Sequence, residues 1–398
     1  MNTVEVLEVI TLQAGYNTAV VLVGVIALGV GGGVIGVFSL LRKRALISDA
    51  ISHATLPGIA IAFMLSVALG GSGRNLALLM AGAALTGAMG IFAVQWICRH
   101  TRLAEDTAIG TVLSVFFGIG IVLLSHIQTM QAAGQAGLNH FLLGSTALLT
   151  SDEALLISIS SAVAIVCSIA FMKEFGSVAF DEGFAKAQGW RVARIDLIMM
   201  LLILAIVTIG LKTVGLILII ALVIIPPAAA RFWTNRLGRM VALSGAFGGL
   251  AGWAGGSISA LLPDMPAGAM IVLAATSIFI VSLLCAPRTG VVAWSVRQLG
   301  LQLTLAETRG LLAMASGNTP PDPMARRMVR WRGYIDSNGQ LTASGTLAAT
   351  EADRQRQLWE AYRKRNPEAD TSFYPLGGCR IEEVLSPDVV SELESRNR

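Results

Sequence analysis

Long apolar segments separated by short polar ones dominate the first 290 residues of the chain. Those long enough to cross a bilayer as helices occupy residues 17–40, 47–70, 75–97, 107–126, 153–172, 195–231, 239–262 and 266–285. The sixth is too long for one crossing, so we expect it to turn near residues 212–215, giving two spans or one span and a re-entrant helix. The pattern predicts an all-α polytopic membrane protein with eight or nine transmembrane helices.

The pattern changes after Pro287, where the chain becomes polar and charged. Within this part, residues 333–342 contain an Asn-Gly pair between short apolar stretches, which predicts a β-hairpin, and residues 343–365 predict a helix. We therefore expect two domains, a membrane domain at residues 1–290 and a separate cytoplasmic tail at residues 291–398.

Composition supports a membrane protein and excludes several other classes. Hydrophobic residues make up 54% of the chain and charged residues 14%, and the mean hydropathy is +0.69, far from soluble proteins. The net charge of +4 is modest and gives no reason to expect nucleic-acid binding. The four cysteines (Cys98, Cys167, Cys285 and Cys379) are far apart, which argues against a disulfide framework or a zinc cluster.

Basic residues predict the orientation in the membrane. With nine spans, the basic connections at residues 42–44, 99–102, 173–194 and 231–239 all fall on one side, whereas residues 127–151 contain no Lys or Arg. Because cytoplasmic loops are enriched in Lys and Arg, we expect that side to be the cytoplasm. The chain is then a multi-pass protein of the cell (inner or plasma) membrane with a cytoplasmic tail.

Asp49 and His53 are the most informative polar residues of the apolar segments. Four residues apart on a helix, they share one face, one turn apart. An ionisable group inside a bilayer costs about 2.5–3.5 kcal/mol on insertion scales, so it usually faces a partner or a transport path. A carboxylate and an imidazole together suit Mn²⁺, Fe²⁺ or Zn²⁺. A buried ion pair that only joins two helices is the alternative interpretation.

Enzyme motifs are missing from the sequence. It contains no H-E-x-x-H zinc motif and no G-x-S-x-G elbow. The nearest string to a phosphate-binding loop, at residues 210–213, lacks the glycine before Lys212. We therefore expect a non-enzymatic protein without an ATPase site of its own.

Residues 180–190 predict a short amphipathic helix between two spans. Asp181 and Glu182 stand at its start, as the helix dipole favours, and Gly189 is placed to end it. Such a helix could dock in a groove of a soluble partner. A helix lying on the membrane surface fits the same pattern.

Several ordered motifs resemble one transporter family. They lie at residues 41–44, 48–54, 56–58, 105–110, 181–189, 214–231, 266–269 and 286–290. Over residues 17–290 the chain resembles the permease subunits of manganese, zinc and iron ABC importers, the ABC-3 type.

The resemblance implies an assembly and roles for individual residues. Two permeases, identical or different, would enclose the pathway; two ABC ATPase subunits would dock from the cytoplasm, and a metal-binding periplasmic or lipoprotein receptor would deliver the ion. Asp49 and His53 would be pathway ligands for transported Mn²⁺, Zn²⁺ or Fe²⁺, with no permanent cofactor. The ATPase-coupling residues would be Asp181, Glu182, Ala185 and Gly189. Glu105 is a further candidate ligand, although a carboxylate at a helix start is typical of a cap.

The tail resembles a second family. Residues 333–345, 354–362 and 379–387 are similar to the wing, dimerisation helix and ancillary metal site of the diphtheria-toxin-repressor family of metal-dependent regulators. This implies a small α/β, winged-helix-like tail in which Cys379, Glu382 and Glu360 could bind a metal. Glu383 and Arg356 replace the two histidines of that pattern. Because no recognition helix is evident, we expect a domain that regulates or braces the transporter rather than one that binds DNA.

The sequence is compatible with three functions. The first is the membrane subunit of an ATP-driven importer for Mn²⁺, Zn²⁺ or Fe²⁺. The second is a stand-alone secondary transporter or channel for divalent cations, and the third is a membrane-tethered metal sensor in which the tail is the working part. Co-purification with an ATPase and removal of residues 291–398 separate them.

Overall fold

The computed structural model describes residues 15–44, 46–70, 75–129, 149–262, 265–287, 289–320, 322–336, 339–366 and 380–397. The chain divides into two compact units, Met1–Gly290 and Val291–Arg398. The described residues of the first unit form helices only. These are α1 (Tyr16–Leu41), α2 (Ile47–Ala68), α3 (Leu76–His100), α4 (Glu105–Thr129), α5 (Ser151–Ala170), α6 (Met172–Phe180), α7 (Glu182–Ala187), α8 (Val192–Val214), α9 (Leu216–Trp233), α10 (Leu237–Leu261) and α11 (Ala267–Cys285).

Helix α1 packs against α5, α8, α9 and α10, and glycines set how closely. A methyl group on Gly248 of α10 would overlap the carbonyl oxygen of Gly29, and one on Gly36 would overlap that of Val223 in α9. Small residues at such crossings let two helix backbones approach, which is how helices associate in a membrane without a hydrophobic driving force. A second group forms where α2 packs against α3 and α4.

Seven helices of the described part, namely α1 to α5, α8 and α11, are long and apolar enough to cross a membrane. The described helices agree with an all-α membrane protein, and these seven candidate spans are one or two fewer than the eight or nine predicted. The long segment at residues 195–231 does divide, at Gly215 with its φ of 84°, into α8 and the 18-residue helix α9. Helix α10 is 25 residues long and rich in glycine and serine, and it is not among these seven candidates.

The second unit is also helical in its described residues. Its helices are α12 (Val291–Ala315), α13 (Pro323–Trp331), α14 (Ala343–Arg365), α15 (Ile381–Val384) and α16 (Pro387–Asn397). One small core joins α12, α13 and α14 through Leu311, Val329 and Ala349. Another forms around Trp359 and Ile381, where α14 meets α15 and α16.

The prediction of an α/β, winged-helix-like tail is not supported, because the described residues of this unit contain no β-strand. The predicted hairpin is reduced to one antiparallel bridge between Ile335 and Leu341. The flanking helices explain this. Helix α13 ends at Trp331 and α14 begins at Ala343, with Thr342 capping α14 through the Gly345 amide at 3.2 Å. Too little chain remains between them for two strands of ordinary length.

Candidate metal pathway and coupling region

Asp49 and His53 lie within the first two turns of α2 and face each other. Nε2 of His53 is 3.3 Å from Oδ1 of Asp49, so the predicted shared face is confirmed. The side chains of Asp49 and His53 remain 30% and 21% exposed, respectively. The two groups therefore converge at a partly open surface of this chain rather than in a sealed core.

Phe117 packs against the ring of His53, while Nδ1 and the carbonyl oxygen of His53 are left without their usual hydrogen-bond donors in the described chain. Phe117 of α4 meets the imidazole edge to face, with 4.7 Å between ring centroids. Nδ1 of His53 is buried and has no hydrogen-bond partner among the described residues. Pro57 stands inside α2 four residues later. Because proline has no N–H, the carbonyl oxygen of His53 loses its usual helix donor. Nitrogen and oxygen acceptors thus cluster around one side chain.

No third His, Cys, Asp or Glu side chain joins this pair in the described chain. In the part of the chain that the structure describes, no group of three or more His, Cys, Asp and Glu side chains is placed to hold a metal ion. Structural zinc sites use four protein ligands and catalytic ones three. The pair therefore offers an incomplete coordination sphere.

The predicted short helix after residue 180 is present as α7. The Asp181 side chain accepts a hydrogen bond from the Phe184 amide at 2.9 Å and so caps the helix. At the other end, Gly189 has a φ of 85°, and the Trp190 amide donates to the Ala185 carbonyl at 3.1 Å. Together they form the glycine-terminated end typical of helices that stop abruptly. Asp181 and Gly189 thus fix both ends of a six-residue helix.

One face of this segment is held by the protein, while its aromatic side chains point away. Ala185 is fully buried. Phe180, Phe184 and Trp190 are 63%, 57% and 40% exposed, respectively. Exposed aromatic residues around a rigid short helix are typical of a docking surface.

A cluster of charges lies beneath α7. Arg42, directly after α1, donates to both oxygens of Asp196 in α8 at 2.8 and 3.1 Å and lies 3.3 Å from Glu182. Arg44 lies 3.2 Å from Asp196 and also pairs with Glu105 at the start of α4. We call these five residues the charge cluster; it joins α7, the end of α1, and the starts of α4 and α8.

Burial differs within the charge cluster. The side chains of Arg42, Arg44 and Asp196 are 11%, 9% and 9% exposed, respectively, whereas that of Glu182 is 43% exposed. The pKa of Glu182 is lowered, first by its hydrogen bond from Lys186 and then, against the opposing effect of partial burial, by the positive charge of Arg42. Asp196 is therefore the buried centre of the cluster, and Glu182 is its link to the surface.

The sequence pattern identifies only part of this cluster. It predicts that Glu182 contacts a partner and that Glu105 caps a helix or binds metal, whereas the structure pairs both with arginines. Asp196 is not among the predicted site residues. Its signal is a lone carboxylate near the start of an apolar segment, the same kind of signal that identifies Asp49.

Two of the three predicted metal-binding residues of the tail, Glu360 and Glu382, belong to the described part of the chain. Cys379 lies outside the described residues, and Glu360 is exposed on α14. Glu382 accepts hydrogen bonds from Arg354 at 3.1 Å and Gln355 at 2.9 Å. Burial opposes ionisation of Glu382, but these donors and a backbone hydrogen bond outweigh it and lower its pKa. Metal binding by these residues stays a prediction.

Residues 16–286 match the model of the ABC 3 transport family. The chain belongs to this family. The match runs from the first residue of α1 to just beyond the end of α11, and it stops before the second unit begins. Asp49, His53, Glu182 and Asp196 all fall within this ABC 3 region.

Relatives of this ABC 3 chain are named for metal transport. It is 42% identical over 298 residues to the manganese transport system membrane protein MntC of Bacillus subtilis, covering 75% of this chain and 67% of the relative. It is 38% identical over 292 residues to the zinc transport system membrane protein TroC of Treponema pallidum, covering 73% and 96%. Among solved structures, PsaBC from Streptococcus pneumoniae in complex with Fab is 30% identical with a TM-score of 0.61, covering 76% of this chain and all of that chain.

Proposed function

We propose that this chain is the membrane-spanning permease subunit of an ATP-driven importer that moves Mn²⁺, Zn²⁺ or Fe²⁺ into the cytoplasm. One observation carries the proposal: an Asp49–His53 pair with a nitrogen–oxygen distance of 3.3 Å, on a membrane-spanning helix of an ABC 3 chain. Relatives named for manganese and zinc transport support it. Metal ions are cargo here, and no permanent cofactor is needed.

A second permease, identical or different, would complete the pathway. Asp49 and His53 supply two ligands at a partly open surface, and no third His, Cys, Asp or Glu side chain joins them in the described chain. Two such pairs meeting across a dimer axis would give four ligands of mixed oxygen and nitrogen type, suited to these metals. Conduction requires binding that is favourable but weak enough for release. A coordination sphere shared between two subunits would bind the ion when the subunits are together and would release it when they move apart.

Energy would reach the pathway through Asp181, Glu182, Ala185 and Gly189. These residues build and anchor α7, whose exposed aromatic neighbours would dock in a groove of an ABC ATPase subunit. The charge cluster then connects that helix to the end of α1 and the start of α8. Because Arg42 and Arg44 lead directly into α2, a movement of α7 would be passed toward Asp49.

The remaining parts of the assembly follow from the same proposal. The basic connections and the charge cluster would face the cytoplasm, and a metal-binding periplasmic or lipoprotein receptor would deliver ions to the opposite side. Residues 1–290 would form the permease domain. Residues 291–398 would be a cytoplasmic regulatory tail, and its resemblance to metal-dependent regulators would then reflect response to metal rather than DNA binding.

Uptake of Mn, Zn and Fe by cells that lack their own importer tests the proposal. With the chain and its ATPase present, we expect accumulation of at least one metal, and a chain ending at Gly290 should keep part of it. Uptake that persists without the ATPase would instead indicate a stand-alone transporter or channel. Complete loss of function on removing residues 291–398, with the membrane domain intact, would indicate a sensor.

Replacing both helix-fixing residues, Asp181→Ala with Gly189→Val, is expected to weaken ATPase association about tenfold or more. Loss of an N-cap costs about 1 kcal/mol, and a branched residue at positive φ adds about 1–2 kcal/mol. Co-purification of the ATPase with the tagged permease measures this effect. Gly238→Val is the matched control, since a side chain there meets open space. Unchanged ATPase recovery with the double variant would contradict the coupling role.

A further inference from the structure

An open groove of about 990 Å³ lies between the last turns of α3 and the start of α8. Its walls are mostly apolar and include Met89, Phe92 and Trp96 of α3 and Leu197 of α8. Neither the metal pair nor the charge cluster lines it. The proposed transport mechanism therefore leaves this groove without a role.

The apolar wall faces outward from the helical unit. Met89, Phe92 and Trp96 are 54%, 56% and 61% exposed, respectively. They stand three or four residues apart on α3, so they form one stripe along a membrane-spanning helix. The Trp96 ring stacks on His100 with 5.1 Å between centroids, close to where α3 ends. Tryptophan is enriched at this level of a membrane protein, where acyl chains give way to headgroups.

Three arginines line the same groove: Arg99 at the end of α3, and Arg191 and Arg194 at the start of α8. The hydrogen bond that Arg99 donates goes to the neutral Gln95, at 3.4 Å. Arg191 and Arg194 form no ion pair with any described residue. This contrasts with Arg42 and Arg44, which are both paired with carboxylates. The groove mouth therefore carries positive charge that the described part of the protein does not neutralise.

The start of α8 adds to that charge. No side chain caps this end of the helix, and its N-cap residue Arg191 lies in the groove wall together with Ala193 and Arg194 of the first turn. The amides of Val192 and Arg194 already donate to the carbonyls of Trp190 and Arg191 at 3.0 and 2.8 Å, so the positive end of the helix dipole is what favours an anion here. An anion with an attached apolar chain would pair with the arginines at the groove mouth and pack against the apolar wall.

We propose that this groove binds an anionic phospholipid from the cytoplasmic leaflet of the membrane. Its phosphate lies among Arg99, Arg191 and Arg194, and an acyl chain runs along the stripe formed by Phe92 and Trp96. Basic pockets between transmembrane helices on the cytoplasmic side are suited to anionic headgroups. The proposal uses the orientation proposed above and is independent of the metal pathway.

Lipid retention by the full-length chain, purified with its ATPase, tests this site. Native mass spectrometry in mild detergent would compare phosphatidylglycerol with phosphatidylcholine. We expect wild type to retain phosphatidylglycerol preferentially. The triple variant Arg99→Gln, Arg191→Gln and Arg194→Gln should lose affinity for it on the order of 100-fold at low salt, since each arginine near an anionic lipid contributes about fivefold. The triple change to lysine should keep most of the preference.

Two controls separate lipid binding in this groove from a general effect of positive charge and from binding of a soluble anion. Arg231→Gln, Arg236→Gln and Arg239→Gln removes three exposed arginines that line no part of this groove and should leave retention unchanged. Trp96→Ala should weaken retention of the diacyl lipid but not binding of glycerol phosphate.

Two results would overturn the proposal. One is equal retention of phosphatidylglycerol by wild type and the triple glutamine variant. The other is full competition by glycerol phosphate, which would indicate a soluble anion instead of a lipid. Because metal uptake is not the readout, failure here leaves the importer proposal standing.

Discussion

Replacing Asp49 or His53 by alanine is expected to reduce metal accumulation to background while the protein stays in the membrane at its normal level. Each change removes one of the two proposed metal ligands. Both side chains are partly exposed, so neither change leaves a deeply buried charge without a partner. The effect should therefore fall on transport and not on folding. Cellular Mn, Zn and Fe, measured at matched membrane levels of the variants, gives the result.

His126→Ala serves as the matched control for this experiment. His126 belongs to the last turn of α4 and is exposed, so its loss should leave uptake near wild type. The double variant Asp49→Ala, His53→Ala should be no worse than either single variant, because residues that act as one unit are not additive. Unchanged uptake in the double variant would mean that the pair only holds helices together. The ligands would then have to be sought elsewhere.

Local spacing explains what the sequence could predict about this site. Asp49 and His53 are one helical turn apart, so their contact follows from helix geometry once the segment is recognised as a helix. The division of the long apolar segment at Gly215 and the short helix between Asp181 and Gly189 are local in the same sense. Each depends on residues within a few positions of one another.

The charge cluster could not be predicted in this way. Arg42 and Asp196 are separated by 154 positions, and nothing in either neighbourhood identifies the other as its partner. The predicted hairpin of the tail is reduced to a single bridge for a different reason. An Asn-Gly pair favours a hairpin locally, but the start of α14 at Ala343 and the end of α13 at Trp331 limit the pairing to one bridge. There the lengths of the neighbouring helices outweigh the turn preference.

Asp196→Ala is expected to destabilise the permease by about 3–5 kcal/mol, the usual range for removing one partner of a buried ion pair. Arg42 and Arg44 would each keep one carboxylate at the edge of the cluster, but both would lose the buried one between them. The melting temperature of the purified protein and its level in the membrane would both fall. Glu182→Ala is the reference; because its carboxylate is 43% exposed, it should cost no more than about 1 kcal/mol.

A double-mutant cycle shows whether the loss arises from the pair itself. Adding Arg42→Met to Asp196→Ala removes the charge that the first change leaves poorly compensated, so the two changes together should destabilise less than the sum of their separate effects. Strict additivity would mean that Arg42 and Asp196 contribute independently. If the cluster also transmits the movement of α7, the double variant should regain stability but not uptake. Recovery of both would show that the cluster is structural support and that coupling to α2 runs through other contacts.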